Sequence, residues 1–181
     1  DDTGDAIALD PAGNAYVTGF YKAAIKGSHA DKLTHSSPGY ANLMVIRFDK
    51  ALKVVWAAAG KSKLHVSGNG IVYTSAGLWV VGDSSATVWL ETKSSSLPVT
   101  TPGTQADVLV AHVSLQGHFS WGMAVGGPNI QVPRDLDLGP DGKLYVIGTN
   151  FDTITFGSTT LFNKSSHTFI ARLDPASKSF D

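Results

Sequence analysis

The chain has 181 residues, 43% of them hydrophobic and 16% charged, a balance suited to a folded domain. A net charge of −1 offers no footprint for nucleic acid or an anionic membrane, and no apolar run approaches the ~20 residues of a spanning helix. The absence of cysteine excludes disulfides and thiolate metal sites.

The first patterned stretch is Asp5–Gly19, DAIALDPAGNAYVTG. Ala6–Asp10 and Ala15–Tyr21 read as strands joined by a Pro11-Ala12-Gly13 turn, the second ending on a glycine. Lys22–Gly39 is polar and irregular. Leu43–Asp49 is apolar on both faces, which predicts a strand covered on both sides. A turn at Lys50–Lys53 leads into the strand Val54–Gly60.

The same order then returns. Gly70–Val72 and Leu78–Gly82 form a second, worn hairpin. A polar segment, Asp83–Ala106, carries Thr87-Val88-Trp89-Leu90, and Val108–Ser114 and Phe119–Gly127 complete the unit. The third unit predicts strands at Leu136–Gly139, Leu144–Asn150, Thr153–Phe162 and Thr168–Asp174. Gly13, Gly77 and Gly142 are spaced by 64 and 65 residues, and Trp56 and Trp121 by 65. These steps divide the chain at about 4–66, 67–131 and 132–181. Trp56 and Trp121 each follow Asp49 and Ser114 by seven residues, whereas seven beyond Asp174 is Asp181. The third unit is therefore expected to be incomplete, lacking its last strand.

No amphipathic helix is predicted. A small antiparallel sheet cannot bury both of its faces, and stacking copies solves that problem. The expected fold is all-β: about three four-stranded antiparallel blades of a β-propeller, in preference to a sandwich.

Three blocks carry a family resemblance. Ile7, Ala8, Asp10, Gly13, Asn14, Tyr16, Val17 and Gly19 form the first. Asp107, Val110, Ala111, Phe169, Ala171, Arg172, Leu173 and Asp174 form the second, and Trp56, Trp121, Gly126 and Gly127 the third. Together they resemble the bacterial SBBP-type β-propeller repeats over essentially the whole chain. Thr74 departs from the pattern by replacing the turn aspartate. The resemblance implies a secreted or cell-surface bacterial protein and says little about chemistry. Three units are fewer than the roughly four to eight blades of a closed propeller. The start at Asp1 without methionine leads to the expectation of a segment of a longer chain. The other arrangements are a six-bladed ring closed by two copies and an open arc.

Few residues suggest chemistry. Asp135 and Asp137 lie two apart on one strand and share a face, as an acid/base or cation-binding pair would. Their counterparts are Ala6 and Ala8, so the repeat does not demand them, and a solvated channel wall or pairing with Arg134 is the favoured reading. Trp89 sits in a variable insert, where it could stack on a sugar or anchor a protein contact; an insert strand packing on its own blade is the expectation. Asp10 and Asp141 lack the ligand density of a calcium loop and read as turn formers. Arg47 with Asp49, and Arg172 with Asp174, read as structural charge pairs near a strand end. His29, Asp31 and His35 form a local cluster short of a metal site, and His112 and His118 flank an ordinary turn. Trp56 and Trp121 are expected to pack between blades. No hydrolase, zincin, phosphate-loop or dinucleotide motif occurs.

No catalytic, cofactor or metal residue is therefore assigned. The expected function is a non-enzymatic structural or interaction module whose partners are other protein domains or further repeats. One alternative is a carbohydrate-binding or carbohydrate-active propeller using Asp135, Asp137 and Trp89. The other is a self-assembling homo-oligomer joined through open edges at Asp5 and Ser179.

Overall fold

Runs of β-branched and aromatic residues broken by turn-forming Asp, Pro and Gly build strands throughout the computed structural model, which describes residues 2–24 and 40–181. Among the described residues there is no helix, hence none long and apolar enough to cross a membrane, and every strand pairing is antiparallel. The first sheet is a meander of β1 (Thr3–Leu9), β2 (Ala15–Tyr21), β3 (Asn42–Phe48) and β4 (Val54–Ser62). The second begins with β5 (Val66–Thr74) and β6 (Gly77–Ser84). The chain then leaves it for a hairpin, β7 (Val88–Glu91) and β8 (Ser96–Val99), and returns as β9 (Asp107–Val113) and β10 (Phe119–Val125). The third is β11 (Gln131–Leu138), β12 (Leu144–Phe156), β13 (Thr159–Asp174) and β14 (Ser179–Phe180).

The insert hairpin departs from expectation. β7 joins the preceding sheet instead of its own, pairing with β4 through Gly60↔Leu90, Lys61↔Trp89 and Ser62↔Val88, and extends that sheet to six strands. Burial explains the choice: Val88, Leu90 and Val99 enter the core between the first and second sheets, and Lys61 pairs with Glu91 at 2.7 Å. In the third unit the strand expected at Thr153–Phe162 is the tip of one long hairpin, in which Phe156 pairs with Thr159 across Gly157. The last strand, expected to be missing, is present as the two-residue β14, with Phe180 buried against Phe156 at 4.9 Å.

The hairpin turns repeat their chemistry. Asp10 Oδ1 accepts the N–H groups of Ala12 and Asn14, and Gly13 supplies the positive φ of 82°. Asp141 Oδ1 accepts the Lys143 N–H beside Gly142, and Tyr16 and Tyr145 each donate a hydroxyl to the turn carboxylate below them.

The glycine ending each sequence copy does not end its strand. β2, β6 and β12 all run past Gly19, Gly82 and Gly148. Each of these glycines faces a β-bulge, at Gly4/Ala6, Gly68/Gly70 and Pro133/Asp135. A Cβ would stand 1.9 Å from the Thr3 carbonyl oxygen at Gly19, 1.8 Å from that of Ser67 at Gly82, and 2.6 Å from that of Val132 at Gly148. Only glycine lets the two backbones approach so closely.

The sheets stack in sequence. β5 lies across β1, β2 and β3, and β11 lies across β5, β6 and β9. One core fills the first contact, with Tyr16, Leu43, Val45, Ile71, Val80 and Phe119 among its members. Another fills the second, around Trp79, Val110, Leu136, Val146, Phe156 and Phe169. Polar links cross as well: the Asn69 amide donates to the Pro133 carbonyl at 2.8 Å.

Candidate functional site

Strand register defines equivalent positions. Tyr16, Trp79 and Tyr145 share one, and their β3-type partners Arg47, His112 and Arg172 share another. On the first strands, Leu9, Tyr73 and Leu138 are equivalent. Between the first and second sheets the Tyr73 ring stacks on Tyr16 at 5.9 Å, and Arg47 lies over the Tyr16 ring at 5.8 Å. The Trp56 indole closes the end of that contact by donating to the Leu115 carbonyl at 3.0 Å.

Between the second and third sheets smaller residues occupy two of these positions, Leu138 for Tyr73 and His112 for Arg47. The result is an open cavity of about 550 Å³, lined by Thr74, Trp79, His112, Ser120, Leu138 and Lys178 among others. That volume falls in the range of small-molecule pockets. Trp79 is its buried wall, set 5.6 Å from Trp121 in an edge-on pair. Ser120 is the extra residue of a bulge between Phe119 and Trp121, which turns its hydroxyl to within 2.6 Å of His112 Nδ1. Burial, and then the Lys178 charge, pushes the His112 pKa down, against a hydrogen bond with the Ala76 carbonyl. That shift favours the neutral imidazole, whose Nδ1 shares a hydrogen bond with the Ser120 hydroxyl. The cavity offers an aromatic wall, an aliphatic floor, a hydroxyl–imidazole pair and a cationic rim. That set suits recognition of a small ligand with an apolar body and a polar end. From sequence His112 is an ordinary hairpin residue, because its Ser120 partner arrives through a bulge with no sequence signature.

The residues singled out from sequence lie elsewhere and apart. Asp135 and Asp137 are exposed on β11, and each accepts the N–H of the next residue, at 2.9 and 2.8 Å. Trp89 is on the outer extension of the first sheet, facing away from its buried neighbours Val88 and Leu90. The expected charge pairs are re-partnered. Arg172 binds Asp181 at 2.9 and 3.0 Å and approaches Asp141 at 3.9 Å, while Asp174 pairs with Lys143. Asp49 accepts the N–H groups of Ala51 and Lys53 in its own turn. The spacing of two placed both side chains on one face, but the turn amides and the neighbouring strands were nearer partners. His29, Asp31 and His35 lie outside the described residues; among the described ones no three His, Asp or Glu side chains converge as metal ligands.

A second polar feature ties the sheets together. Asp107, fully buried at the start of β9, accepts the N–H groups of Gly103 at 2.7 Å and Gly127 at 3.2 Å. Burial outweighs these bonds and pushes its carboxyl pKa up. Gln131 beside it accepts from Gly127 and donates to the Thr153 carbonyl at 3.2 Å.

No family model and no curated protein matches the chain. Among solved structures it is similar to a protein of unknown function from Bacteroides caccae, determined at 1.35 Å. The two share 10% identity with a TM-score of 0.38, over 97% of this chain and 62% of the other. The chain thus spans about three fifths of the length of that structure, and at this level the likeness carries no argument.

Proposed function

We propose that the chain is a non-enzymatic scaffold made of SBBP-type β-propeller blades, working as a structural and interaction module of a secreted or cell-surface bacterial protein. The observation that carries this reading is the repeated stacking: β11 covers the second sheet as β5 covers the first. Such stacking makes a rigid arc whose inter-sheet cavities and inserts are free to vary, the usual division between scaffold and recognition surface. The chemistry of the carbohydrate-active alternative is dispersed. Its aspartates share one strand and bond their own backbone, and Trp89 belongs to another sheet. Paired glycosidase carboxylates instead face each other from separate elements, ~5–10 Å apart.

The test is a glycan array combined with a glycosidase and esterase substrate screen on the purified chain. No turnover is expected. Turnover lost in an Asp135→Asn/Asp137→Asn variant replaces the scaffold with the carbohydrate-active reading, and turnover lost in Ser120→Ala places an enzyme in the inter-sheet cavity.

A further inference from the structure

An aromatic wall stands in each contact between sheets, and what is laid over it differs. In the first contact the Tyr73 ring stacks on Tyr16 at 5.9 Å, so the space is filled by a ring of the chain itself. In the second the wall is Trp79, and Leu138 stands at the Tyr73 position, 38% exposed at the cavity. The turns that close the two contacts differ as well. Five residues separate the paired Val113 and Phe119, whereas six separate the equivalent pair Leu173 and Phe180. The shorter turn takes its positive φ of 80° at Gly117, so close to Trp56 that a Cβ would stand 2.6 Å from the indole. The longer turn takes its positive φ of 58° at Lys178, a conformation that side chains disfavour, and holds the ammonium 5.9 Å from the centre of the Trp121 ring. Trp56 and Trp121 are equivalent in register, so a cation stands over the second contact where the first has a glycine.

Lys178 forms no ion pair among the described residues. The third-sheet carboxylates are engaged elsewhere, Asp174 by Lys143, and Asp141 and Asp181 by Arg172. No carboxylate lines the cavity, whose polar residues besides Lys178 are Thr74, His112 and Ser120. We propose that this cavity binds a small aromatic monocarboxylate, its ring on Trp79 where Tyr73 lies in the first contact and its carboxylate at Lys178 and Ser120. The ring repeats a contact the fold already makes, in the offset or edge-on geometry that aromatic pairs prefer. One cation balances one negative charge, through a charge-assisted hydrogen bond from the Lys178 ammonium. The Ser120 hydroxyl, 2.6 Å from His112 Nδ1, adds a neutral polar contact. A volume of about 550 Å³ holds one ring or two fused ones, and an ammonium ligand finds no carboxylate there to meet it.

This site rests on the stacked-scaffold reading and is tested by binding, whereas that reading is tested by turnover. Calorimetry on the purified chain compares benzoate and 1-naphthoate with the matching amides, which keep the rings and drop the charge. At least one carboxylate is expected to bind about tenfold more tightly than its amide, and Lys178→Gln to abolish that preference. A second readout is the His112 ring in an NMR titration. Burial and the Lys178 charge hold its pKa down. Carboxylate and amide bury it alike, so its pKa is expected to be higher with the carboxylate bound, which alone offsets Lys178. Leu138→Tyr puts a ring of the chain itself in the same space, and is expected to abolish binding of all four probes while keeping the wild-type circular dichroism. A wild type that binds no carboxylate, that binds acid and amide equally, or that keeps its preference in Lys178→Gln overturns the site. So does undiminished binding by Leu138→Tyr. None of these results touches the scaffold reading, which fails only on turnover.

Discussion

Replacing Gly82 by alanine tests whether the bulge is what fixes the glycine in each copy. The new Cβ would lie 1.8 Å from the Ser67 carbonyl oxygen, and real Cβ contacts essentially never fall below 3.0 Å. The strands must therefore part by at least 1.2 Å, the difference of those two distances. The obstacle is the backbone of the paired strand β5, so no side chain can swing aside. Overpacking of this kind costs about 1–3 kcal/mol, and one lost ladder hydrogen bond adds about 1 kcal/mol. For a chain of this size the total corresponds to a fall in Tm of about 6–12 °C. Gly142→Ala is the control: nothing lies within 4 Å of its Cβ, but φ is +74°. That substitution carries only the left-handed backbone penalty of about 1–2 kcal/mol. Thermal unfolding followed by circular dichroism should rank Gly82→Ala well below Gly142→Ala, with both below wild type. An alanine at Gly82 as mild as the control would refute the steric account.

Three further outcomes are expected. Burial raises the Asp107 pKa above the ordinary carboxylate range, so as pH climbs past that range the folded state binds more protons there than the unfolded one. The contribution of this group to stability therefore falls as pH rises through that window. Urea midpoints should show Asp107→Asn gaining on wild type between about pH 4 and pH 7, and a constant gap refutes the shift. Lys178→Gln removes a charge that depresses His112, so the imidazole pKa should rise in an NMR titration; a fall or no change counts against the cavity electrostatics. Leu138→Tyr rebuilds on the third sheet the ring that fills the first contact, and should stabilise by about 0.5–2 kcal/mol, as cavity-filling changes do. A destabilised variant would mean that the cavity is not the imprint of a missing Tyr73-type ring.

The all-β class and the antiparallel meanders were legible because turn chemistry is local. Asp10, Gly13, Asp141 and Gly142 act on their own neighbours, and the sequence displays neighbours directly. The meaning of Gly19, Gly82 and Gly148 was not legible, because what each excludes is a carbonyl on the facing strand. Trp89 failed for a related reason. Its insert was expected to be a strand on its own blade, while Val88 and Leu90 alternate with it into a core shared with the first sheet, which β7 joins. Arg172 could not be paired correctly from its spacing to Asp174, since Asp181 comes alongside only when β14 folds back onto β13.

The inter-sheet cavity follows from the same distinction between what the copies share and what they do not. Shared residues, such as the bulge glycines and turn aspartates, meet demands that each hairpin makes of itself. The residues lining the sheet contacts answer to a neighbour and can drift as pairs, so the first contact is filled by Tyr73 over Tyr16 and the second is left open by Leu138 beside Trp79. Elsewhere in the second core Phe156 and Phe169 pack at 5.1 Å. A stack built this way keeps its stability in the register of its strands and concentrates variation in the contacts. The lining of one contact can then differ from that of the next without disturbing the sheets that form it. His112 with Ser120, at positions where the first sheet has Arg47 and Val55, is the clearest instance of such a change in this chain.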